Sequence, residues 1–352
     1  MSETEGPKRY RLGLVVGKFA PLHLGHQWLI DEAARHCNRV LILSYSKPEF
    51  DRCGVPARRR WLTAGCADHE FFVIDDAWLQ EICGGLGIAA EIIPRNDASD
   101  EVQQQLLGWL LREVLRKTPD AMFCSESYGR ACAATLTSML KSYVEAVIVD
   151  PKRRHVPVSS TAIRCDPHFN RHWMTPGVAA AFVHRVALLG GESTGKTTLA
   201  AALAAHCDTT WVPEYGRELW EGQSGALSEG DLLKIAHEQI RREEEKLRFA
   251  HRYLFCDTSP LTTLGYSCWM FGRVHPEPAS LAKRPYDAVV ICRPDFPFVQ
   301  DGTRREEGFR QQQQTWYQEQ AAAMECPVFE ATGRVPERVT HVAKWLSSLD
   351  LR

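Results

Sequence analysis

The chain has 352 residues, 44% of them apolar and 24% charged, with a formal net charge of -2. At ~100–200 residues per domain, two domains are expected, each large enough for its own core. The near-neutral balance excludes a broadly basic nucleic-acid binder.

The N-terminal stretch "MSETEGPKRYR" has no apolar core of the kind a secretory signal needs. No uninterrupted apolar run reaches the ~18 residues that span a bilayer, so no membrane association is expected. The 12 cysteines stand singly, without a C-x-x-C pair, which argues against a zinc ribbon or a redox dithiol. Cys124, Cys256 and Cys292 sit in apolar runs, where a free thiol behaves as a small hydrophobe. Reduced thiols and a cytoplasmic location are the simple reading.

In chain order, apolar and β-branched runs predict strands at 12–19, 39–46, 71–74, 89–94, 121–125 and 143–149. Helical patterns lie between them, as at 24–37 and 100–117. The pattern then restarts, with strands at 186–189, 210–212, 253–256, 288–292 and 328–329 and a long polar helix at 230–250. Strand–helix alternation predicts an α/β chain of two doubly wound, parallel-sheet domains. The boundary is placed near His184, giving domains 9–184 and 185–352. The only biased run is glutamine 311–314, too short to mean disorder.

The first strand runs into "GKFAPLHLGH", which reads G-x-F-x-P-x-H-x-G-H from Gly17 to His26. His23 and His26 then stand at a helix N-terminus, where backbone N–H groups and the macrodipole favour anions. Gly25 permits close approach, and Gly17, Lys18 and Phe19 lie at the end of the strand. Imidazoles near their ordinary pKa of ~6.5 could donate to phosphate oxygens. Such a site suits attack of one phosphate on the α-phosphorus of ATP. Further on, "VPVSSTAIR" sets Ser159, Ser160 and Thr161 before Arg164. These hydroxyls could bind phosphate or merely cap the helix, and Arg164 adds a permanent cation. In "RRRW", 58–61, Trp61 is either a stacking partner for a mononucleotide or a core residue.

"GGESTGKTT" fits G-x-x-x-x-G-K-[ST] with Gly190, Gly195, Lys196 and Thr197, after a predicted strand and before an alanine-rich helix. Gly191, Glu192, Ser193, Thr194 and Thr198 complete a loop whose N–H groups would wrap a phosphate chain. Lys196 would reach the β/γ-phosphates of ATP, and the Thr197 hydroxyl would ligate Mg²⁺. Asp257, ending the strand "RYLFCD", is either a Mg²⁺ carboxylate or a helix cap. Glu214 in "VPEYGRE" would stand near the phosphates if its strand ran parallel beside the first. It is then the candidate base for a substrate hydroxyl, with Tyr215 and Arg217 as substrate contacts; otherwise it is a solvated loop residue. Arg304, Arg305 and Arg310 follow a D-G turn and form either a mobile-loop cluster that closes on phosphate or a solvated face.

"RVALLGGESTGKTTL", "VPEYGRE", "FCDTSPLTT" and "PFVQDGTRREEGFR" together resemble the ribosylnicotinamide kinase domain of the bifunctional NadR family. Ser259, Pro213 and Gly216 depart from that pattern, Ser259 standing where an aspartate is usual. "GKFAPLHLGH" and "SSTAIR" resemble the HxGH nucleotidyltransferases, and "FCSESYG" with "VDPKRRHVPVSSTAIR" narrows the likeness to the adenylyltransferase domain of the same family. Ser125, Glu126, Tyr128, Asp150 and Arg153 align with that pattern, and the resemblance implies that Ser125, Glu126, Asp150 and Arg153 bind the substrate.

The resemblance implies a Rossmann-like HxGH nucleotidyltransferase followed by a P-loop kinase. The kinase would make nicotinamide mononucleotide from nicotinamide riboside and ATP; the transferase would join that product to AMP, giving NAD and pyrophosphate. Mg²⁺ is the implied cofactor and ATP the co-substrate. Some NadR-type proteins also repress transcription through an N-terminal helix-turn-helix. Only about ten polar residues precede the first strand, so neither that module nor DNA binding is expected. Two alternatives stay open: a P-loop domain acting as a non-catalytic nucleotide sensor, and a different mononucleotide as the acceptor. Self-association is also left open.

Overall fold

The computed structural model describes residues 8–274, 276–297 and 306–351. The chain divides into two compact units, one ending at Ala181 and the next beginning at Phe182.

The first unit is built around a five-stranded sheet among the described residues, in the order β3-β2-β1-β4-β5. Its strands are β1 (Tyr10–Val16), β2 (Cys37–Tyr45), β3 (Glu70–Ile74), β4 (Ala121–Cys124) and β5 (Glu145–Ile148), all paired in parallel. The helices are α1 (Leu24–His36), α2 (Val55–Gly65), α3 (Asp76–Leu86), α4 (Asp100–Trp109), α5 (Gly129–Leu140), α6 (Ser160–Cys165) and α7 (Pro176–Ala179). Parallel strands covered on both faces read as continuous apolar runs. Accordingly Leu14, Val15, Leu41, Ile42 and Leu43 are fully buried. Chain order reverses at β1, with β2 and β3 on one side and β4 and β5 on the other. Such a switch opens a crevice at the carboxyl ends of the central strands, where ligands bind in doubly wound folds.

Two expectations need correction here. Residues 89–94 form no strand: Ile92 is 77% exposed, and the Ile93 N–H donates to Asp76 Oδ1 instead of to a ladder. Pro94 has no N–H to offer a sheet edge. The helix predicted over 100–117 stops at Trp109 and continues as a π-turn over Leu110–Val114, closed by Leu115 N–H on Leu110 O at 2.8 Å. The wider turn still buries Leu110, Leu111 and Val114, so the apolar pattern survives the change of period.

The second unit repeats the design, with sheet order β10-β9-β6-β8-β7. Its strands are β6 (His184–Leu189), β7 (Thr210–Val212), β8 (Tyr253–Asp257), β9 (Ala288–Cys292) and β10 (Val328–Ala331). Between and after them run α8 (Lys196–His206), α9 (Tyr215–Gly222), α10 (Glu229–Leu247), α11 (Pro260–Phe271), α12 (Pro276–Leu281), α13 (Glu307–Ala322) and α14 (Val335–Ser348). β7 does not lie beside β6, as the argument for Glu214 assumed; β8 is inserted between them, and all the pairings are parallel. One core layer sets Leu188, Phe255 and Val290 against Leu199, Leu203 and Val342.

No helix among the described residues is long and apolar enough to cross a membrane. All 12 cysteines are free.

Candidate functional site

In the first unit a cleft of about 440 Å³ opens at the carboxyl ends of β1 and β4. Gly17, Lys18, Phe19, His23, Gly25 and His26 line it from the β1–α1 turn. Ser125 and Glu126 line it after β4, and Asp150, Arg153, Ser159, Ser160, Thr161 and Arg164 after β5.

His23 is the N-cap of α1. Its Nδ1 accepts from Gly25 N–H at 3.1 Å, and its own N–H donates to His26 Nδ1 at 3.4 Å. The two rings stack with centroids 3.7 Å apart. Since each Nδ1 faces a main-chain donor, each neutral ring must carry its proton on Nε2. Burial, then the charge of Arg153, pushes the His23 pKa down to about 4. His26 is held well below the ordinary value by burial, then by His23 and Arg153. The expectation of imidazoles near their usual pKa is therefore corrected: both are neutral, each with one Nε2–H to donate. Gly25 makes the arrangement possible, because a Cβ there would come within 3.0 Å of the His23 ring.

The distant "SSTAIR" segment is tied to this turn. Ser160 Oγ donates to Pro21 O at 3.3 Å, and the Arg164 guanidinium donates to Ala20 O. Arg164 also lies over the Phe50 ring at 3.9 Å and donates to Thr161 Oγ1 at 3.2 Å. Ser159 caps α6, accepting from Ala162 N–H. Lys18 has its pKa lowered by burial, then by the charge of Arg164. Asp150 accepts from the His155 and Arg154 N–H groups, which lower its pKa and fold the loop that presents Arg153. Arg153 in turn binds Val158 O and Glu126 Oε1.

Trp61 lies outside this group. It is 4% exposed within α2 and absent from the cleft lining, so its alternative as a core residue holds. Arg58 is fully buried and spent on Cys53 O, Ser44 Oγ and Glu49. The cleft instead gains Trp28, which stacks on His155 at 4.7 Å, together with Phe50 and Asn96. Trp28 was findable, being three residues past Gly25 on one helix face; Phe50 and Asn96 carry no local signal.

In the second unit a cavity of about 340 Å³ is lined by Gly190, Glu192, Ser193, Lys196, Glu214 and Arg217, among others. The loop between β6 and α8 wraps tightly. Gly190 has φ 140°, and a Cβ there would meet Cys292 O at 2.6 Å; Ser193 and Gly195 also have positive φ. Lys196 Nζ donates to Gly190 O and Gly191 O. Thr194 is buried and donates to Gly191 O. Thr198 is exposed on the first turn of α8.

Thr197 Oγ1 donates to Asp257 Oδ2 at 2.5 Å, while Asp257 Oδ1 is buried without a hydrogen-bond partner. The helix cap here is Ser259, accepting from Leu261 N–H, which answers the alternative raised for Asp257. Burial raises the Asp257 pKa against the pull of Lys196. Glu214 is raised to about 7 by burial, then by the charge of Asp257. An orphaned carboxylate oxygen beside a hydroxyl is a hard-oxygen donor set that fits Mg²⁺, which keeps waters and phosphates as its other ligands. No cluster of three His, Cys, Asp or Glu suited to a metal occurs among the described residues.

Two further expectations change. Tyr215 is not part of the cavity wall; its ring lies under the Arg242 guanidinium at 4.5 Å. Arg310 is not on a mobile loop but inside α13, 5% exposed, paired with Glu307 and donating to Phe296 O. Arg304 and Arg305 lie outside the described residues. The glutamine run does unforeseen work: Gln314 and Gln313 accept from the Gly191 and Glu192 N–H groups. Arg338, fully buried, donates to Thr194 O from behind the loop, and Tyr266 OH donates to Glu192 Oε1. These contacts span dozens of residues and leave no trace in local spacing.

A family model described as an AAA domain matches residues 185–338. The trifunctional NAD biosynthesis/regulator protein NadR of Escherichia coli (strain K12) is 29% identical over 312 residues, covering 83% of this chain and 71% of that protein. Its namesake from Salmonella typhimurium (strain LT2) is 28% identical over 320 residues, covering 85% and 73%. Among solved structures, a NadR protein in complex with NR has a TM-score of 0.71 at 19% identity, over 98% of each chain. One in complex with NAD and AMP-PNP has a TM-score of 0.70 at 19% identity, over 97% of this chain and 98% of that one. Fold and motifs together define an α/β chain that pairs an HxGH nucleotidyltransferase-type domain with a P-loop kinase-type domain. Over most of its length the chain is similar to the NadR proteins.

Proposed function

We propose that this chain is a bifunctional enzyme of NAD biosynthesis. The second unit transfers the γ-phosphoryl group of ATP to the 5′-hydroxyl of nicotinamide riboside. The first transfers AMP from a second ATP to the resulting mononucleotide, releasing pyrophosphate and leaving NAD. The observation that carries this reading is convergence: each cavity gathers the sequence-separated motifs of one reaction and none of the other.

In the kinase step, Glu214 takes the proton of the attacking 5′-hydroxyl, and a carboxylate poised near pH 7 suits that task. Lys196 leaves its carbonyl partners for the β- and γ-phosphates, and Arg217 adds charge at the same wall. Thr197 and Asp257 would hold Mg²⁺, which when bound neutralises charge on the phosphates. In the adenylyl step a phosphate oxygen of the mononucleotide attacks the α-phosphorus, so no base is required. His23 and His26 donate from Nε2 to the charge that develops there, and Lys18 and Arg164 hold the polyphosphate.

A non-catalytic sensor would not need Glu214 and Lys196 in one cavity with the charge of Asp257 close enough to raise the Glu214 pKa. The test is product analysis after incubation with nicotinamide riboside, ATP and Mg²⁺. NAD is expected. Mononucleotide alone would refute the role given to the first unit, and unchanged riboside the role given to the second.

A further inference from the structure

Phe50 lines the cleft of the first unit and is half-buried there. The Arg164 guanidinium carbon lies 3.9 Å from its ring centroid, and Lys18 Nζ lies 5.9 Å from it. Burial, then the charge of Arg164, lowers the pKa of Lys18, so two cations repel within one cleft. The negative face of an aromatic ring attracts such charges and offsets part of that repulsion. The Arg164 fork also donates to Ala20 O and to Thr161 Oγ1. A guanidinium has more N–H donors than those two bonds use, all in one plane. Ring, carbonyl and hydroxyl therefore fix that plane and leave donors for a phosphate oxygen.

The loop between β2 and α2 that carries Phe50 is held from two sides. Asn96 donates from Nδ2 to Pro48 O at 2.7 Å and from its backbone N–H to Lys47 O at 2.6 Å. Fully buried Arg58 donates to Glu49, the residue before Phe50, and to Cys53 O. The Cys53 N–H in turn donates to Phe50 O at 3.0 Å. Arg58 also donates to Ser44 Oγ, whose hydroxyl donates to Lys18 O at 3.1 Å. Stripping a buried charge of its partners is costly, so these bonds leave the loop little freedom. The first arginine of "RRRW" thus braces both sides of the ring's neighbourhood without reaching the cleft itself.

We propose that Phe50 is a positioning residue for adenylyl transfer: its ring, on a loop braced by Arg58 and Asn96, holds the Arg164 guanidinium so that its unused N–H groups meet the triphosphate of ATP. The inference rests on the proposed reading of this cleft as the adenylyl-transfer site.

The test measures adenylyl transfer in the full chain and in Phe50→Leu, Phe50→Tyr, Arg164→Ala and the double variant. Phe50→Leu stays apolar and removes the ring. It is expected to lower kcat/KM for ATP about tenfold, the scale of one partly desolvated cation–π contact. KM for nicotinamide mononucleotide should stay within about twofold, which also reports that the first unit is folded. Phe50→Met, which keeps more of the volume, is carried in parallel against misfolding of the leucine variant. Phe50→Tyr keeps the ring face and should stay within about twofold of wild type. Arg164→Ala should cost about 10²-fold, and in its background Phe50→Leu should cost about twofold or less, because the ring acts through Arg164. Full activity without the ring, an equal loss in Phe50→Tyr, or KM for the mononucleotide rising together with that for ATP would overturn the proposal. So would an undiminished loss in the Arg164→Ala background, which would mean that the ring touches substrate itself. Absence of adenylyl transfer in wild type refutes the reading of the cleft instead. Calorimetric binding of ATP in a Lys196→Ala background, where the other ATP site is weakened, then decides on Phe50: about tenfold weaker binding in Phe50→Leu upholds its pairing with Arg164, and equal binding overturns it.

Discussion

The Thr197 hydroxyl donates to Asp257 Oδ2 across 2.5 Å, joining the first turn of α8 to the last residue of β8. Because the other carboxylate oxygen has no partner, the pair is half-satisfied by the protein alone. Asp257→Asn keeps the shape and removes the charge. Riboside phosphorylation should fall by about 10²–10³-fold, the range seen when one preorganised electrostatic contact is lost. The Mg²⁺ concentration for half-maximal rate should rise, and a titration of initial rate against Mg²⁺ measures both.

The two reactions should be separable by single substitutions, because their residues belong to separate units. Lys196→Ala should abolish riboside phosphorylation and leave adenylyl transfer within about twofold, while His26→Ala should do the reverse. Paired assays on each variant check this. Loss of both activities from either change would contradict two independent sites.

The two units should respond to pH with opposite sign. Glu214 is raised to about 7, so between about pH 4.3, the ordinary value, and pH 7 the folded second unit holds a proton that the unfolded chain has released. Its stability therefore falls as pH rises through that window. His23 is lowered to about 4, so between pH 4 and about 6.5 the unfolded chain holds the extra proton. The stability of the first unit is full above that window and is lost as pH falls through it. Unfolding of each variant against pH should show a flatter profile from pH 5 to 7 in Glu214→Gln and from pH 6.5 to 4 in His23→Gln.

Gly25→Ala places a methyl group 3.0 Å from the His23 ring. The ring must give by a few tenths of an ångström, which strains its bond from Gly25 N–H and its stack on His26. Adenylyl transfer should drop at least tenfold, with a stability cost of about 1–3 kcal/mol from overpacking. Rate assays and urea unfolding read the two effects separately.

Trp61→Ala should behave as a core deletion, costing about 3–5 kcal/mol. In protein that remains folded at low temperature, KM for the mononucleotide should be unchanged. A raised KM with full stability would return Trp61 to the binding site.

Much of the fold was legible. Strands β1, β2 and β8 were found because buried parallel strands carry an unbroken apolar run, and that needs no knowledge of their neighbours. The segment 89–94 has a similar composition and failed as a strand, because whether an apolar run joins a sheet depends on a free edge and on N–H groups to pair. The position of β7 was misjudged for a related reason: strand order is decided by how helices pack, not by order along the chain.

The two strand–turn–helix corners themselves were determined by sequence alone. Glycine placement between an apolar strand and a helix is a local signal, so Gly190, Lys196, His23 and Gly25 could be read from spacing. Only the tertiary structure decided what those turns are held by and what they face. Ser160 and Arg164 anchor to Pro21 and Ala20, Arg338 braces Thr194, and Gln239 accepts from Tyr215 N–H beside Glu214. Burial, too, decided that His23 and His26 are neutral donors rather than cations. Contacts and desolvation across such separations are set by packing, which no local pattern of residues encodes.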